Sequence, residues 1–233
     1  MLKPISRPLL LGHRGVRPLP LTGARAKDLP AENTLTAFEY ALAQGCDGFE
    51  LDVRFTRDRR AVLCHDPQVA DLDISATDYH DLRRNDFELP CLEDVLARFG
   101  AAYLDIEVKV SGHEEAVTAA LRASPPARGY VVSSFLPEVL LRVNQLDPSV
   151  PLGYICDRRQ HVAMWEQLPV TVFILHYRLV SEELIAAAHR RRVKLFGWTV
   201  NQRRHLLRLA GWGVDGLISD DPMLLSRTFA QSS

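Results

Sequence analysis

Short β-rich runs alternate with helical patterns along the whole of this chain, and that alternation constrains the fold more than any other feature. Extended runs fall at 9–11, Gly48–Phe55, 61–65, 103–110, Tyr130–Ser134, 151–156, 171–175, 193–200 and 215–219. Between them, apolar residues recur at helical spacing over 32–44, Leu92–Phe99, Glu114–Ala123, Pro137–Leu146, 159–168, 181–191 and 201–210. The first of these helices places Leu35, Phe38 and Leu42 on one face, with Asn33 or Thr34 as its cap. Ser181 caps the helix at 181–191, and Glu182 and Glu183 suit its first turn. Repeated β-α units predict a parallel sheet with both faces covered.

The spacing of the runs narrows the choice. Only residues 54–60 join the second run to the third, whereas a parallel crossover takes about a dozen residues or more. Those two runs are therefore expected to form an antiparallel hairpin arm. Setting the arm aside leaves eight parallel strands in 233 residues, the count of a small (β/α)8 barrel. The expected fold is α/β, a (β/α)8 TIM barrel with an extra β-hairpin arm after strand two, forming one domain over 1–233. An open doubly wound sheet is the alternative. Its GxGxxG phosphate loop is missing, because the turn after the first strand reads Gly12-His13-Arg14-Gly15.

Composition excludes several classes of function. At 47% hydrophobic and 24% charged residues, the chain can bury a sizeable core and is not intrinsically disordered. Lys plus Arg number 28 against 29 Asp plus Glu, so the basic excess of a nucleic-acid-coating protein is missing. Arg190, Arg191 and Arg192 read instead as charges at a helix C-terminus. No apolar run approaches the ~18 residues of a membrane span. The apolar stretch at 8–12 falls short of the ~7–15 residues of a signal peptide, which gives an expected cytoplasmic location. Cys46, Cys64, Cys91 and Cys156 match no zinc spacing and are expected as buried thiols of a reducing compartment.

In a barrel the chemistry gathers at the C-terminal ends of the strands. There this sequence places Gly12-His13-Arg14-Gly15, Glu50-Leu51-Asp52, His65-Asp66, Asp105-Ile106-Glu107-Val108-Lys109, Trp198 and Asp220. Glu50 and Asp52 are two apart on a strand and point to one face, with Leu51 and Val53 opposed. Glu107 and Lys109 share that spacing, and Asp105 lies one step deeper. Carboxylates on an inward face are costly unless a cation joins them. Glu50, Asp52 and Glu107 together make a hard oxygen site for Mg²⁺, Ca²⁺ or Mn²⁺ rather than zinc. The competing reading pairs Glu50 and Asp52 with Lys109 and Arg14, and the two arrangements can coexist. His13 and His65 flank the acidic cluster, where a histidine pair can act as base and acid. Asp66 either orients or charges a neighbour or caps its turn. Arg14 and Lys109, with a divalent cation, make an anion trap suited to phosphate, or simply balance the carboxylates. Trp198 either walls a substrate or packs. His176, after the sixth parallel strand, is a minor candidate, and the other histidines are assigned to solvent.

Taken in order, these pieces resemble the glycerophosphodiester phosphodiesterases: GHRG at 12–15, ENT at 32–34, FELDV at 49–53, HD at 65–66, LPCLEDVL at 89–96, DIEVK at 105–109, SSF at 133–135, GWTVN at 197–201 and DGLISDDP at 215–222. The resemblance implies a TIM barrel that hydrolyses glycerophosphodiesters, such as glycerophosphocholine or glycerophosphoethanolamine, with a divalent metal ion, giving sn-glycerol 3-phosphate and an alcohol. It implies His13 and His65 as the acid–base pair, Glu50, Asp52 and Glu107 as metal ligands, Arg14 and Lys109 on the phosphate, and Glu32 as an accessory group of the metal site.

Two departures bear on the substrate. In that family ENT follows HRG closely, but here residues 16–31 intervene and border the site. After His65-Asp66 the chain reads Gln68-Val69-Ala70-Asp71-Leu72-Asp73 in place of a DRTT-like run, so a more open or differently shaped groove is expected over the leaving group. One rival reading is a lysophospholipase D, with Leu19, Leu21 and Leu29 supplying an apolar groove. The other is a barrel that only binds phosphate, against which stands the retention of both histidines and all the carboxylates.

Overall fold

Along each strand side chains alternate, so one set meets inside a closed ring and the other meets the helices around it. The computed structural model describes residues 7–17, 29–85 and 88–230. In chain order the elements are β1 (Leu9–Gly12), α1 (Leu35–Ala43), β2 (Gly48–Phe55), β3 (Ala61–Leu63), β4 (Gln68–Val69), β5 (Leu72–Asp73), α2 (Tyr79–Leu82), α3 (Leu92–Phe99), β6 (Tyr103–Val108), α4 (Glu114–Ala123), β7 (Tyr130–Ser134) and α5 (Pro137–Leu146). They continue with β8 (Leu152–Cys156), a 3₁₀ segment (Arg159–Gln167), β9 (Val172–His176), α6 (Glu182–Arg190), β10 (Lys194–Trp198), α7 (Arg203–Trp212), β11 (Gly216–Ser219) and α8 (Pro222–Phe229). The parallel strands run β1-β2-β6-β7-β8-β9-β10-β11, and β1 pairs with both β2 and β11, closing the barrel. β3 lies antiparallel on the upper half of β2, with Val53 opposite Leu63 and Phe55 opposite Ala61, which is the expected hairpin arm.

The interior is filled by Leu11, Val131, Ile155, Val172, Ile174, Phe196 and Ile218. Phe196 fits there because Gly216 beside its ring is small, and the β2–β6 backbones approach closely because Gly48 has no side chain. A Cβ on Gly48 would meet the Tyr103 carbonyl at 1.8 Å, and one on Gly216 would meet the Phe196 ring at 2.6 Å. Outside the ring, Phe49 stacks on Phe38 with centroids 4.1 Å apart, and Phe99 stands edge-on to both.

Thr34, not Asn33, caps α1, its side chain accepting from the Ala37 N–H. The 159–168 segment is 3₁₀ rather than α. Val162, Trp165 and Leu168 recur every third residue, the spacing that puts one face of a 3₁₀ turn in register, and Trp165 stacks on Phe173. β4 and β5 form a small ribbon not foreseen in the sequence, because Ala70 and Asp71 both take positive φ at a turn that usually shows Asn-Gly. α8 was also not foreseen, although Asp221 as cap and Pro222 in the first turn are its start signals. Several histidines assigned to solvent have partners: His113 packs edge-on to Phe55, His205 packs against Tyr177, and His189 Nε2 lies 2.8 Å from Asp215 Oδ2.

Candidate active site

The register of β2 on β6 sets Glu50 beside Asp105 and Asp52 beside Glu107. Four carboxylates of two neighbouring strands therefore share the inward face near the C-terminal mouth, and all are buried. Glu50, Asp52 and Glu107 each present an oxygen atom, and the three atoms lie within 4.8 Å of one another. Glu50 Oε1 and Asp52 Oδ1 are buried without a hydrogen-bond partner. An all-oxygen donor set with orphaned anionic atoms fits a hard divalent cation. Burial and the charges of Asp52, Glu107 and Asp105 push the Glu50 carboxyl far above its ordinary range. Burial lifts Glu107 to about 7, against the pull of Lys109. It lifts Asp105 also to about 7, against the hydroxyl of Ser133.

Asp52 behaves oppositely. Burial would raise its pKa, but Arg14, Lys109 and Asn33 outweigh burial and hold it below the ordinary carboxylate range. Arg14 Nε lies 3.0 Å from Asp52 Oδ2, and Lys109 Nζ lies 3.3 Å from Oδ1 and 2.6 Å from Glu107 Oε1. Arg14 also donates its backbone N–H to Glu50 Oε2 at 2.9 Å and its Nη1 to Glu32 Oε1 at 2.7 Å. Ion pairing and an oxygen cluster thus coexist on the same carboxylates. Glu32 touches no other carboxylate of the cluster in the described contacts; it stands outside, bridging Arg14 and Arg17.

The histidines reach this cluster from two sides. His13, in the turn after β1, is buried; its Nδ1 lies 2.6 Å from Asp220 Oδ1 and its Nε2 3.8 Å from Glu50 Oε2. Asp220 is held in turn by the Asn201 side-chain amide, whose Oδ1 accepts the Asp220 N–H at 2.9 Å. His65 follows β3, with Nδ1 2.7 Å from the exposed Asp66 carboxylate. Arg54 fixes the His65 backbone, donating Nε and Nη2 to its carbonyl at 2.9 and 2.7 Å. Burial keeps the His65 imidazole neutral to a lower pH than usual, with Arg14 and Lys109 adding to the effect and Asp66 opposing it. In both rings Nδ1 faces a carboxylate, so Nε2 is the atom left for other partners.

Trp198 lines the pocket beneath the cluster, together with His13, Glu50, Asp105, Glu107 and three isoleucines, Ile155, Ile174 and Ile218. Its ring stands edge-on to Phe135 and His176, and its buried indole N–H has no partner.

The sequence profile of the glycerophosphoryl diester phosphodiesterase family matches residues 13–224. A glycerophosphodiester phosphodiesterase of Caldanaerobacter subterraneus is 29% identical over 93% of this chain and 96% of its own. Among solved structures, a Silicibacter pomeroyi protein described as a putative glycerophosphoryl diester phosphodiesterase superposes with a TM-score of 0.82 at 22% identity, covering 96% of this chain and 93% of its own. An Oleispira antarctica phosphodiesterase, solved with the product sn-glycerol-3-phosphate, gives a TM-score of 0.79 at 21% identity over 95% and 96% of the two chains. This chain belongs to the glycerophosphoryl diester phosphodiesterase family. It is a phosphoric diester hydrolase, and its fold is that family's TIM barrel.

Family membership sharpens which residues sequence reasoning missed. Asn33, read only as a possible cap, bonds to Asp52 at two points. Asp220, noted only as the end of the last strand, reaches His13 across the barrel closure. Arg54 holds His65, the site's second histidine, at the end of the hairpin arm; the signal was its even spacing from Glu50 and Asp52 on the same strand. Of the apolar side chains suggested for a lipid groove, Leu19 and Leu21 lie outside the described residues, as does most of the 16–31 loop, and Leu29 is half-buried. No helix among the described residues is long and apolar enough to cross a membrane.

Proposed function

We infer that this chain hydrolyses small glycerophosphodiesters, of the glycerophosphocholine and glycerophosphoethanolamine type, to sn-glycerol 3-phosphate and an alcohol, and that it needs a divalent cation to do so. One observation carries the reading: Glu50, Asp52 and Glu107 converge within 4.8 Å between two histidines that are each backed by an aspartate. The Oleispira phosphodiesterase, with its bound product, supports the same class of product here.

Glu50, Asp52 and Glu107 would hold Mg²⁺, Ca²⁺ or Mn²⁺, which when bound supplies Lewis-acid polarisation of a phosphoryl oxygen. Arg14 and Lys109 border the same carboxylates and offer N–H donors to the remaining phosphoryl oxygens, where negative charge grows in the transition state. His65, kept neutral by burial and its cationic neighbours, is suited to take the nucleophile's proton at Nε2. His13, oriented by Asp220, then donates a proton from Nε2 to the departing alkoxide. Asp66 holds the Nδ1 proton of His65 in place, and Trp198 walls the pocket. Glu32 steadies Arg14. Four free thiols suit a reducing compartment such as the cytoplasm.

The test is release of glycerol 3-phosphate from glycerophosphocholine with Mg²⁺, Mn²⁺ or Ca²⁺, with EDTA, and with Glu50→Ala. The expected result is metal-dependent release that EDTA and the substitution abolish. Release surviving both would overturn the metal assignment. Release from lysophosphatidylcholine alone would move the chain to the lysophospholipase D reading, and release from neither substrate would leave a phosphate-binding barrel.

A further inference from the structure

A second cavity, of about 280 Å³, opens at the mouth beside the candidate active site, over the ends of β7 and β8. Ile155 borders both this cavity and the pocket under Trp198, so the two are neighbours across one side chain. Phe135 lines the second cavity and reaches toward the active site: its ring lies 5.8 Å from Lys109 Nζ and 5.5 Å from the Trp198 ring. A phosphodiester gripped by Lys109 has two ester arms. The pocket under Trp198, at about 10 Å³, is too small to hold either arm, whereas an arm that runs along Phe135 finds room in this second cavity.

The cavity holds one carboxylate, Asp157, among Arg158 and His161. Asp157 is half-exposed and accepts no hydrogen bond from any described residue. Its nearest cation, Arg158 Nε, stands 3.9 Å away, beyond hydrogen-bond range. Asp157 faces the mouth, close enough to favour the charged form of His176, while Arg178 and burial disfavour it. A partly exposed carboxylate with no hydrogen-bond donor and only a loose ion pair, beside an aromatic wall, suits a small ammonium group.

Resting on the function proposed above, we propose that this cavity is the leaving-alcohol subsite and that Asp157 makes it selective for alcohols bearing an ammonium, such as ethanolamine. The carboxylate attracts the cation as the phosphate docks, and a neutral polyol gains no such attraction.

The experiment compares kcat/KM for glycerophosphoethanolamine and glycerophosphoglycerol in the wild type, Asp157→Asn and Asp157→Lys. Taking the ratio within each variant cancels the intrinsic difference between leaving groups. The expected result is a drop in the ethanolamine-to-glycerol ratio of about three- to fivefold in Asp157→Asn, the size of one partly exposed ion pair. The drop should be larger in Asp157→Lys, carried in KM, and shrink at high salt. A ratio that stays within twofold of wild type in both variants overturns the subsite. An equal loss on both substrates makes Asp157 a general structural group and also overturns it. Failure of the wild type to cleave either substrate is a separate outcome, because it removes the proposed function itself.

Discussion

Asn33 grips Asp52 at both ends: its Nδ2 donates to Asp52 Oδ2 at 2.8 Å, and its Oδ1 accepts the Asp52 backbone N–H at 3.1 Å. The first bond fixes one carboxylate oxygen and leaves the other, Oδ1, facing the cluster with the Lys109 ammonium at 3.3 Å but no aligned hydrogen bond. Asn33 reaches this position with φ near +58°, a conformation asparagine tolerates better than most residues.

Asn33→Asp replaces the donor by a second carboxylate and sets two anions face to face. Partners that orient a ligand typically contribute 10–100-fold to metal affinity. Mn²⁺ affinity, titrated by calorimetry, should fall by about that factor while the far-ultraviolet circular dichroism stays unchanged. Unaltered affinity would mean that Asp52 is positioned by Arg14 and Lys109 alone.

Asp220→Asn should lower kcat by about 10²-fold or more and leave KM nearly unchanged. The carboxylate fixes His13 with its proton on Nδ1, and an amide can present the wrong atom and invert the tautomer. His13→Ala and His65→Ala should each cost about 10²–10⁴-fold. If Asp220→Asn keeps wild-type kcat, Asp220 serves the fold rather than the imidazole.

These two positioning residues mark the limit of what the sequence made legible. The barrel itself could be read, because strand count and the short 54–60 connection are local facts. So could the acidic cluster, because a spacing of two on a strand fixes a face. Asn33 and Asp220 act over separations of 19 and 207 residues. Which loop meets which strand depends on barrel closure and register, and neither is printed in local periodicity. The ribbon at Gln68–Asp73 escaped for another reason: its turn is made by Ala70 and Asp71, without the glycine that usually announces such a bend.

The metal-free protein should lose stability as pH rises. Glu50, Glu107 and Asp105 have folded-state pKa values above their ordinary ones, the last two at about 7. Between roughly pH 4.5 and 7 the folded state then binds more protons than the unfolded one, so unfolding free energy falls with rising pH. Asp52, with a lowered pKa, contributes stability that is lost only in stronger acid, and His65 opposes the trend weakly near its own range. With EDTA, the Tm at pH 7.5 should lie roughly 5 °C or more below that at pH 5.5, taking ~2–4 °C per kcal/mol for a chain of this size. Saturating Mg²⁺ or Ca²⁺ should remove the difference, since the cation takes the place of the protons. A metal-free Tm that rises between these pH values would show that the cluster is not strained by its own charge.

Arg54 sits one step above Asp52 on β2 and donates two N–H groups to the carbonyl of His65. No other described side chain donates to that carbonyl. The arm β3 ends at Leu63, so beyond the Cys64 N–H bond to the Asp52 carbonyl the position of the His65 backbone depends on this guanidinium. A displacement of about 1 Å at an acid–base group can cost 10²-fold. Arg54→Ala should therefore lower kcat by about 10–100-fold with a small change in KM. Arg54→Lys, which can restore one of the two bonds, should recover part of the loss. Because Arg54 is half-buried at the mouth and outside the apolar core, Tm should shift by less than about 3 °C in either variant. A loss of kcat that tracks Tm, with no recovery in the lysine variant, would assign Arg54 to the stability of the arm. A selective loss of kcat that lysine partly restores assigns it to the placement of His65.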